Sequence, residues 1–368
     1  MSEAKFWGGD IPWVSSGEMT ERRIYDTAKR VTEDGANDGS KLVPARTVLA
    51  VVRGMSLAKE FRVAITAREV TFNQDLKALV PSKKLLPEFL FYYLLSQNQP
   101  IKDSASESGH GTKKLDTAVL EDWPLPLPRE DVQKKIAAIL TAYDDLIEVN
   151  QRRIAALETM AEELYREWFV RLRLPGHAKV KLVKGVPEGW KVKKLGAVLE
   201  LCYGKALKEE DRVPGEFPVY GSSGIVGTHN EALVKEPGLI VGRKGNVGSV
   251  HWADTGFFPI DTAYFVRSEL PNSFLNFLLR SMNFLNNDAA VPGLSRSQAY
   301  SNEFYLPPES LIYRFAETVD SQFELKRVIT SQNASLRQTR DLLLPRLISG
   351  KLRVEALDIQ FPPGMAAE

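Results

Sequence analysis

An amphipathic seam that recurs 179 residues further on constrains this chain more than any other feature of it. From Arg129 to Arg173 the sequence reads as one long helix. Its seam positions are Val132, Ile136, Ile139, Tyr143, Leu146, Asn150, Ile154, Leu157, Ala161, Leu164 and Trp168, in alternating steps of three and four. Moving each position forward by 179 residues gives Leu311, Phe315, Thr318, Gln322, Leu325, Ile329, Asn333, Leu336, Arg340, Leu343 and Leu347, with no insertion. Both copies take two successive steps of four, at 146, 150, 154 and at 325, 329, 333, a spacing that relaxes left-handed supercoiling. Two helices sharing one irregularity are expected to share an origin and to pack on each other. The expected contacts are Ile136, Ile139, Tyr143, Leu146, Asn150, Ile154, Leu157 and Leu164 against Phe315, Val319, Leu325, Ile329, Asn333, Leu336 and Leu343. Asn150 and Asn333 either fix the register of the pair or face solvent where the seam frays. Arg340 and Gln322 soften the second seam, leaving part of that face for a partner. Trp168, Phe169 and Leu172 read as core ahead of docking surface.

The rest of the chain arranges itself around these rods. Residues 1–128 form a first globule, 129–173 the first helix, 174–188 a basic connector, 189–308 a second globule, 309–353 the second helix and 354–368 a tail expected to be disordered. Strands are expected at Thr47–Val52, Arg62–Ile65, Leu239–Val241, Val247–Trp252 and Ala263–Val266, with helices at Leu86–Gln97 and from Ser273 to about Asn286. Trp123-Pro-Leu-Pro-Leu-Pro128 and Phe304-Tyr-Leu-Pro-Pro308 are stiff entries into the two helices, and Pro345 should kink or end the second near Leu344. The fold class is α+β: two mixed α/β globules separated by two long antiparallel coiled-coil-like helices, in an internal tandem duplication. The globules align less closely than the helices. Ile11-Pro-Trp-Val-Ser-Ser-Gly17 resembles Phe217-Pro-Val-Tyr-Gly-Ser-Ser-Gly224 at an offset of 206, which places the counterpart of Trp190 before residue 1. The first globule is expected to lack its lead-in.

Composition narrows the classes. One cysteine, Cys202, excludes an internal disulfide, and four histidines give no zinc-ligand spacing. No run of about 18 apolar residues occurs, so a soluble, cytoplasmic chain without membrane association is expected. A net charge of +1 argues against indiscriminate coating of nucleic acid, yet Arg171 to Lys194 carries eight positive side chains against Glu188 alone. That segment is either a solvated linker or a phosphate-facing connector.

Several segments, in this order, resemble the specificity subunits of type I restriction-modification systems across nearly the whole chain. They are Trp7-Gly-Gly-Asp-Ile-Pro-Trp13, Thr71-Phe-Asn-Gln-Asp75, Asn150-Gln-Arg-Arg-Ile-Ala-Ala-Leu-Glu158, Pro187-Glu-Gly-Trp190 with Lys194-Leu-Gly196, Val219-Tyr-Gly-Ser-Ser-Gly-Ile-Val-Gly227, Gly242-Arg-Lys-Gly245 and Leu342-Leu-Leu-Pro-Arg-Leu-Ile-Ser-Gly350. The resemblance implies that each globule is a target-recognition domain reading one half of a split double-stranded DNA site. It implies helices that set the spacing and dock modification (methyltransferase) subunits, two of them, with restriction subunits joining through the complex. It also implies that this chain binds no cofactor, S-adenosylmethionine, ATP and Mg belonging to partner subunits. The missing lead-in departs from the usual pattern. A helix of about 43 residues spans roughly 65 Å, an upper bound on the reach between readers, on the order of 19 base pairs.

Candidate DNA contacts lie on loops. Gly242-Arg-Lys-Gly-Asn-Val-Gly248 is a basic, glycine-rich turn that would let backbone approach phosphate while Arg243 reaches a guanine edge, although a plain hairpin fits as well. Lys244 and Asn246 share that turn. Tyr203, Lys205, Tyr220, Ser222 and Ser223 supply aromatic, basic and hydroxyl groups. Arg53, Lys59, Asn73 and Gln74 in the first globule, and Lys113, Lys114, Arg296, Ser297 and Gln298 before the prolines, are further candidates. Asn73 and Gln74 could instead satisfy backbone groups only.

No catalytic residue is indicated. The sequence has no glycine-rich cofactor loop, no Asn-Pro-Pro-Tyr-like motif, no nucleophile elbow and no metal-ligand cluster. A non-catalytic subunit is therefore expected. The alternatives are a helical scaffold whose globules bind proteins, a stand-alone two-domain DNA-binding protein, and an enzyme with an unrecognised site.

Overall fold

A computed structural model describes residues 3–109, 111–176, 181–183, 185–284 and 293–362. The chain divides into two compact units. Unit 1 joins residues 1–149 to 333–368, and unit 2 is residues 150–332. Each unit therefore contains part of both long helices, Glu130–Tyr165 and Glu309–Ile348.

Unit 1 holds two four-stranded sheets. In the first the strand order is Arg23–Ile24, Val63–Thr66, Val48–Val51, Leu76–Leu79, with Leu49 opposite Ala64 on one side and Ala78 on the other. Val48–Val51 is buried throughout, which an apolar, β-branched run requires when both faces of a central strand are covered. One face packs on the helix Pro87–Ser96, whose Pro87 suits a first turn that has no use for its N–H. The second sheet runs Arg30–Val31, Trp7–Val14, Val70–Phe72, Leu42–Val43, with Trp13 parallel to Thr71.

Unit 2 repeats this plan. Its four-stranded sheet is Glu200–Tyr203, Ala263–Arg267, Gly238–Gly242, Val250–Ala253, and Val219 runs parallel to Phe258 just as Trp13 does to Thr71. The helix Asn272–Ser281 covers the sheet. An extra pair, Lys191–Lys194 with Glu303–Leu306, closes the unit beside the second long helix. Trp168 and Phe169 sit in its core, where Tyr165, Phe274, Phe277 and Phe315 surround them at ring separations of 5.1–6.2 Å. Burial pushes the Tyr165 phenol up to about 12.

The two helices do pair within each unit, but along a stripe rotated from the sequence expectation. Ile136, Asn150, Phe315, Val319, Ile329 and Asn333 are buried. Ile139, Tyr143, Ile154, Leu157, Leu164, Leu336 and Leu343 are half-buried. Leu146 and Leu325 are 45% and 49% exposed and do not belong to the seam. In unit 1 Gln133, Ala137, Leu140, Thr141, Asp144 and Ile147 are buried instead, because the first helix is covered by its globule as well as by its partner helix. Gln133 shows this: its side chain accepts from Leu86 N (2.8 Å) and donates to the carbonyls of Lys84 (3.0 Å) and Pro128 (2.9 Å). Neither asparagine faces solvent. Asn333 donates to the carbonyl of Ile147 at 3.3 Å, a cross-helix bond that a slip of one residue would break.

Arg340 is not a free polar face. It is buried against Asp144, whose carboxylate also accepts from Tyr92 Oη at 2.8 Å and pairs with Arg22 at 3.3 Å. Burial, with Asp144 beside it, holds the Tyr92 phenol well above its usual range. Gln322 is half-buried as well.

Other expectations are corrected at the ends. The first helix changes at Arg166 into a wider turn, closed by Arg171 N donating to Arg166 O at 2.7 Å, short of Arg173. The second helix continues past Pro345 to Ile348, since the proline is exposed and costs only one hydrogen bond near the terminus. Residues 354–362 are packed, not loose: Val354 is buried, Lys135 Nζ donates to the carbonyls of Glu355 and Leu357 (both 2.8 Å), and Ile359 and Phe361 lie on Ala137 and Ala138. Of the connector, Arg171 pairs with Glu163 and Glu167, and Arg173 with Glu167, which neutralises its start. Lys179 and Lys184 lie outside the described residues.

Replacing Arg340 by Leu strands the Asp144 carboxylate and should cost about 3–5 kcal/mol, read as a fall in the urea midpoint. The double variant Asp144→Leu/Arg340→Leu should recover most of that loss, and a double mutant as unstable as Arg340→Leu alone would show that the pair is not what matters.

Candidate nucleic-acid interface

In unit 2 the central strand Gly238–Gly242 runs into a turn that only glycine permits. A Cβ on Gly242 would lie 2.0 Å from the Asn246 carbonyl oxygen, and one on Gly248, at φ +77°, would lie 2.8 Å from Phe284. The turn closes through Gly248 N to Gly242 O (2.9 Å) and Gly242 N to Ser249 O (2.8 Å). The Ser222-Ser223 turn is fastened to it. Ser249 Oγ donates to Ser222 O, His251 Nε2 lies 3.0 Å from the same oxygen, and Asn246 Nδ2 donates to Ser223 Oγ at 3.2 Å.

Strand register then assembles a cationic and aromatic cluster. Tyr203 lies directly opposite Tyr264, with ring centroids 5.1 Å apart. The Arg243 guanidinium stands 5.0 Å from the Tyr203 ring and 5.8 Å from that of Tyr264, and it donates to the Asp261 carbonyl at 2.9 Å. Arg296, on the short helix Arg296–Ser301, lies 4.8 Å from the Tyr203 ring. Tyr264 is buried and donates to Leu294 O at 2.8 Å; burial, with Tyr203 close by, raises its phenol pKa. Tyr203 is 48% exposed, so its ring is a platform held by two guanidinium groups with its edge in water. Lys205 and Lys244 are exposed nearby, fixed through their backbones to Pro259 and Thr262. Such a surface offers phosphate contacts and stacking in one place.

Unit 1 builds the corresponding turn with different side chains. Leu115 N bonds Val52 O at 2.8 Å, and Leu294 N bonds Arg243 O at 2.9 Å, 179 residues on from Leu115. Lys114 pairs with Arg53 and Lys113 with Gly54, matching the bridge of Gly293 to Lys244. Arg53 is thus the structural counterpart of Lys244, not of Arg243. Lys59 ends the short helix Ser56–Lys59 and, like Arg53 and Lys114, is exposed. Asp116 and Ser295, also 179 apart, cap the following helices by accepting from Ala118 N and Gln298 N.

The remaining candidates separate. Tyr220 is core, with its hydroxyl on the Trp252 carbonyl (3.3 Å), and Ser222 is 7% exposed, so neither side chain is open to a duplex. Asn73 accepts from Asp75 N at 3.2 Å in a turn, the backbone role left open by the sequence. Gln74 is exposed at the rim of a hollow of about 670 Å³ that Trp13, Lys41, Asn73 and Lys77 also line. Ser297 and Gln298 belong to the Ser295 cap. Sequence reasoning missed Tyr264, whose setting in an apolar strand disguised it; its place opposite Tyr203 was the available signal. Among the described residues, no group of three or more His, Cys, Asp or Glu could hold a metal ion. No helix of the described residues is long and apolar enough to cross a membrane.

Gly242→Ala should cost about 1–3 kcal/mol through the clash with Asn246. Faster amide exchange confined to residues 242–249 is the expected signature, and unchanged exchange there would remove the glycine requirement.

Comparison with known proteins bears on both units. The family model described as type I restriction modification DNA specificity domain matches residues 2–159 and 187–332. The MjaIX specificity subunit of Methanocaldococcus jannaschii is 25% identical over 393 residues, covering 96% of this chain and 89% of that protein. The EcoR124I/EcoR124II specificity subunit of Escherichia coli is 29% identical over 147 residues, covering 39% of this chain and 36% of its own. Among solved structures, the S subunit of the M. genitalium type I restriction-modification system superposes with a TM-score of 0.57 at 18% identity, over 94% of this chain and 91% of that one. That likeness is one of fold.

Proposed function

The chain belongs to the type I restriction modification DNA specificity domain family, and from that membership we propose that it is the specificity subunit of a type I restriction-modification complex. The observation that carries the reading is the duplicated basic turn. Both units place an exposed cation at the end of a central strand, beside a partner segment and a capped short helix in equivalent positions. Each unit so equipped reads one half of a bipartite site in double-stranded DNA.

In unit 2, Lys205 and Lys244 are placed to meet phosphate, and Arg243 with the Tyr203 platform to meet bases. In unit 1, Arg53, Lys59, Lys113 and Lys114 take the phosphate role. The long helices set the reach between readers and dock two modification subunits, with restriction subunits joining through the complex. The chain itself is not a catalyst. It binds no cofactor, and S-adenosylmethionine, ATP and Mg serve the partner subunits. The complex works in the cytoplasm.

Mapping methylated sites in cells carrying the assembled complex tests this. Exchanging residues 189–306 for another recognition domain should change one half of the recognised sequence and leave the other, and deleting matched turns from both helices should shorten the unread spacer. A change in both halves would sink the modular reading. In the complex, Arg243→Ala should weaken specific binding by about 1–3 kcal/mol, while Lys244→Ala should weaken all sequences alike and lower the salt slope by about 1. Variants indistinguishable from the parent in both respects would take this turn out of the interface.

A further inference from the structure

The two units differ at one place that the duplication predicts should be alike. In unit 2 the strand Glu200–Tyr203 lies on the outer edge of Ala263–Arg267, and Leu195, Leu199 and Leu201 fill the space between that edge and the helix Asn272–Ser281. All three leucines are buried, and Lys191–Lys194 pairs with Glu303–Leu306 alongside. In unit 1 the strand equivalent to Ala263–Arg267 is Leu76–Leu79, since each pairs antiparallel with the central strand at matching positions, Val51 to Leu76 and Gly242 to Ala263. Among the described residues Leu76–Leu79 has no partner on its outer side.

The space is not filled by other means. Beside that edge lies an open groove of about 550 Å³, lined by Leu79, Leu90, Tyr93, Leu94, Leu120 and Leu125. The matched Phe-Leu pairs Phe89-Leu90 and Phe274-Leu275 put Leu90, Tyr93 and Leu94 in register with Leu275, Leu278 and Leu279. Those three side chains share the buried cluster of Leu195, Leu199 and Leu201 in unit 2. The groove therefore has the wall that this leucine triplet occupies in its twin, together with a strand edge whose backbone groups can take a new partner.

We propose that the groove of unit 1 is a docking site for an extended polypeptide segment of the kind represented by residues 187–203: a strand carrying leucines at the spacing of 195, 199 and 201. The segment adds a strand to the Leu76–Leu79 edge and buries its leucines on Leu90, Leu94 and Leu120. The inference goes beyond the DNA-reading function and stands without it, since it concerns how unit 1 is completed and not what it reads.

The test uses the full chain and a fluorescein-labelled synthetic peptide of residues 187–203, with Cys202→Ser to prevent disulfide formation. Fluorescence anisotropy should show saturable binding at one peptide per chain, and the thermal midpoint should rise on addition. A peptide carrying Leu195→Asp and Leu201→Asp should lose at least tenfold in affinity. So should the full chain with Leu125→Asp, or with Val80→Asp at the groove's exposed lip, a position whose substitution leaves the core intact. No saturable binding of the parent peptide would overturn the proposal. So would equal binding by the double-aspartate peptide, or undiminished binding to the folded Val80→Asp chain, which would place the peptide elsewhere. DNA binding is read separately, so loss of peptide binding with DNA recognition intact would refute this inference alone.

Discussion

The cross-helix pair of Asp144 and Arg340 is the constraint on which unit 1 depends. A carboxylate with 9% of its side chain exposed is tolerable only with its countercharge in place, and here the two ions come from helices 196 residues apart in the sequence. Arg22 and Tyr92 converge on the same carboxylate from the globule, so sheet, capping helix and both rods are referred to a single atom group. Apolar packing alone would allow the rods to slide by a turn at little cost. An ion pair with defined partners does not, and the Asn333 bond to Ile147 adds a second stop.

The long helices, the duplication and most core strands were legible because their signals are periodic and summed over many residues. Val48–Val51, Val63–Thr66 and Pro87–Ser96 lie within a residue or two of where composition puts them. The stripe on the rods was misjudged for a specific reason. A seam traced as if one helix faced only another favours Leu146, whereas the face is shared with a globule that covers Ile147 and Asp144. The tail was misread because proline, glycine and small residues resemble a loose end, and nothing in them announces that Lys135 and two alanines on a helix far earlier in sequence would receive it.

The site was legible by residue type and poorly by position. Arg243, Arg296 and Tyr203 were singled out separately, and only strand pairing brings them onto one ring. Tyr220 was an equally good candidate by composition, but alternation along its strand points it inward. The basic connector shows the same limit in electrostatics. Arg171 and Arg173 count as free cations on paper, yet they close ion pairs with Glu163 and Glu167 on the helix they follow.

The split composition of unit 1 also fixes an order of events at the ribosome. Unit 2 is one uninterrupted segment and can close as soon as it emerges, whereas Asp144 waits for Arg340 to be translated, a delay of roughly 10–40 s at ordinary elongation speeds. Nascent chains of this protein thus complete their later half first, reversing the usual vectorial sequence, and during that interval the opening globule is the portion that needs a chaperone's protection.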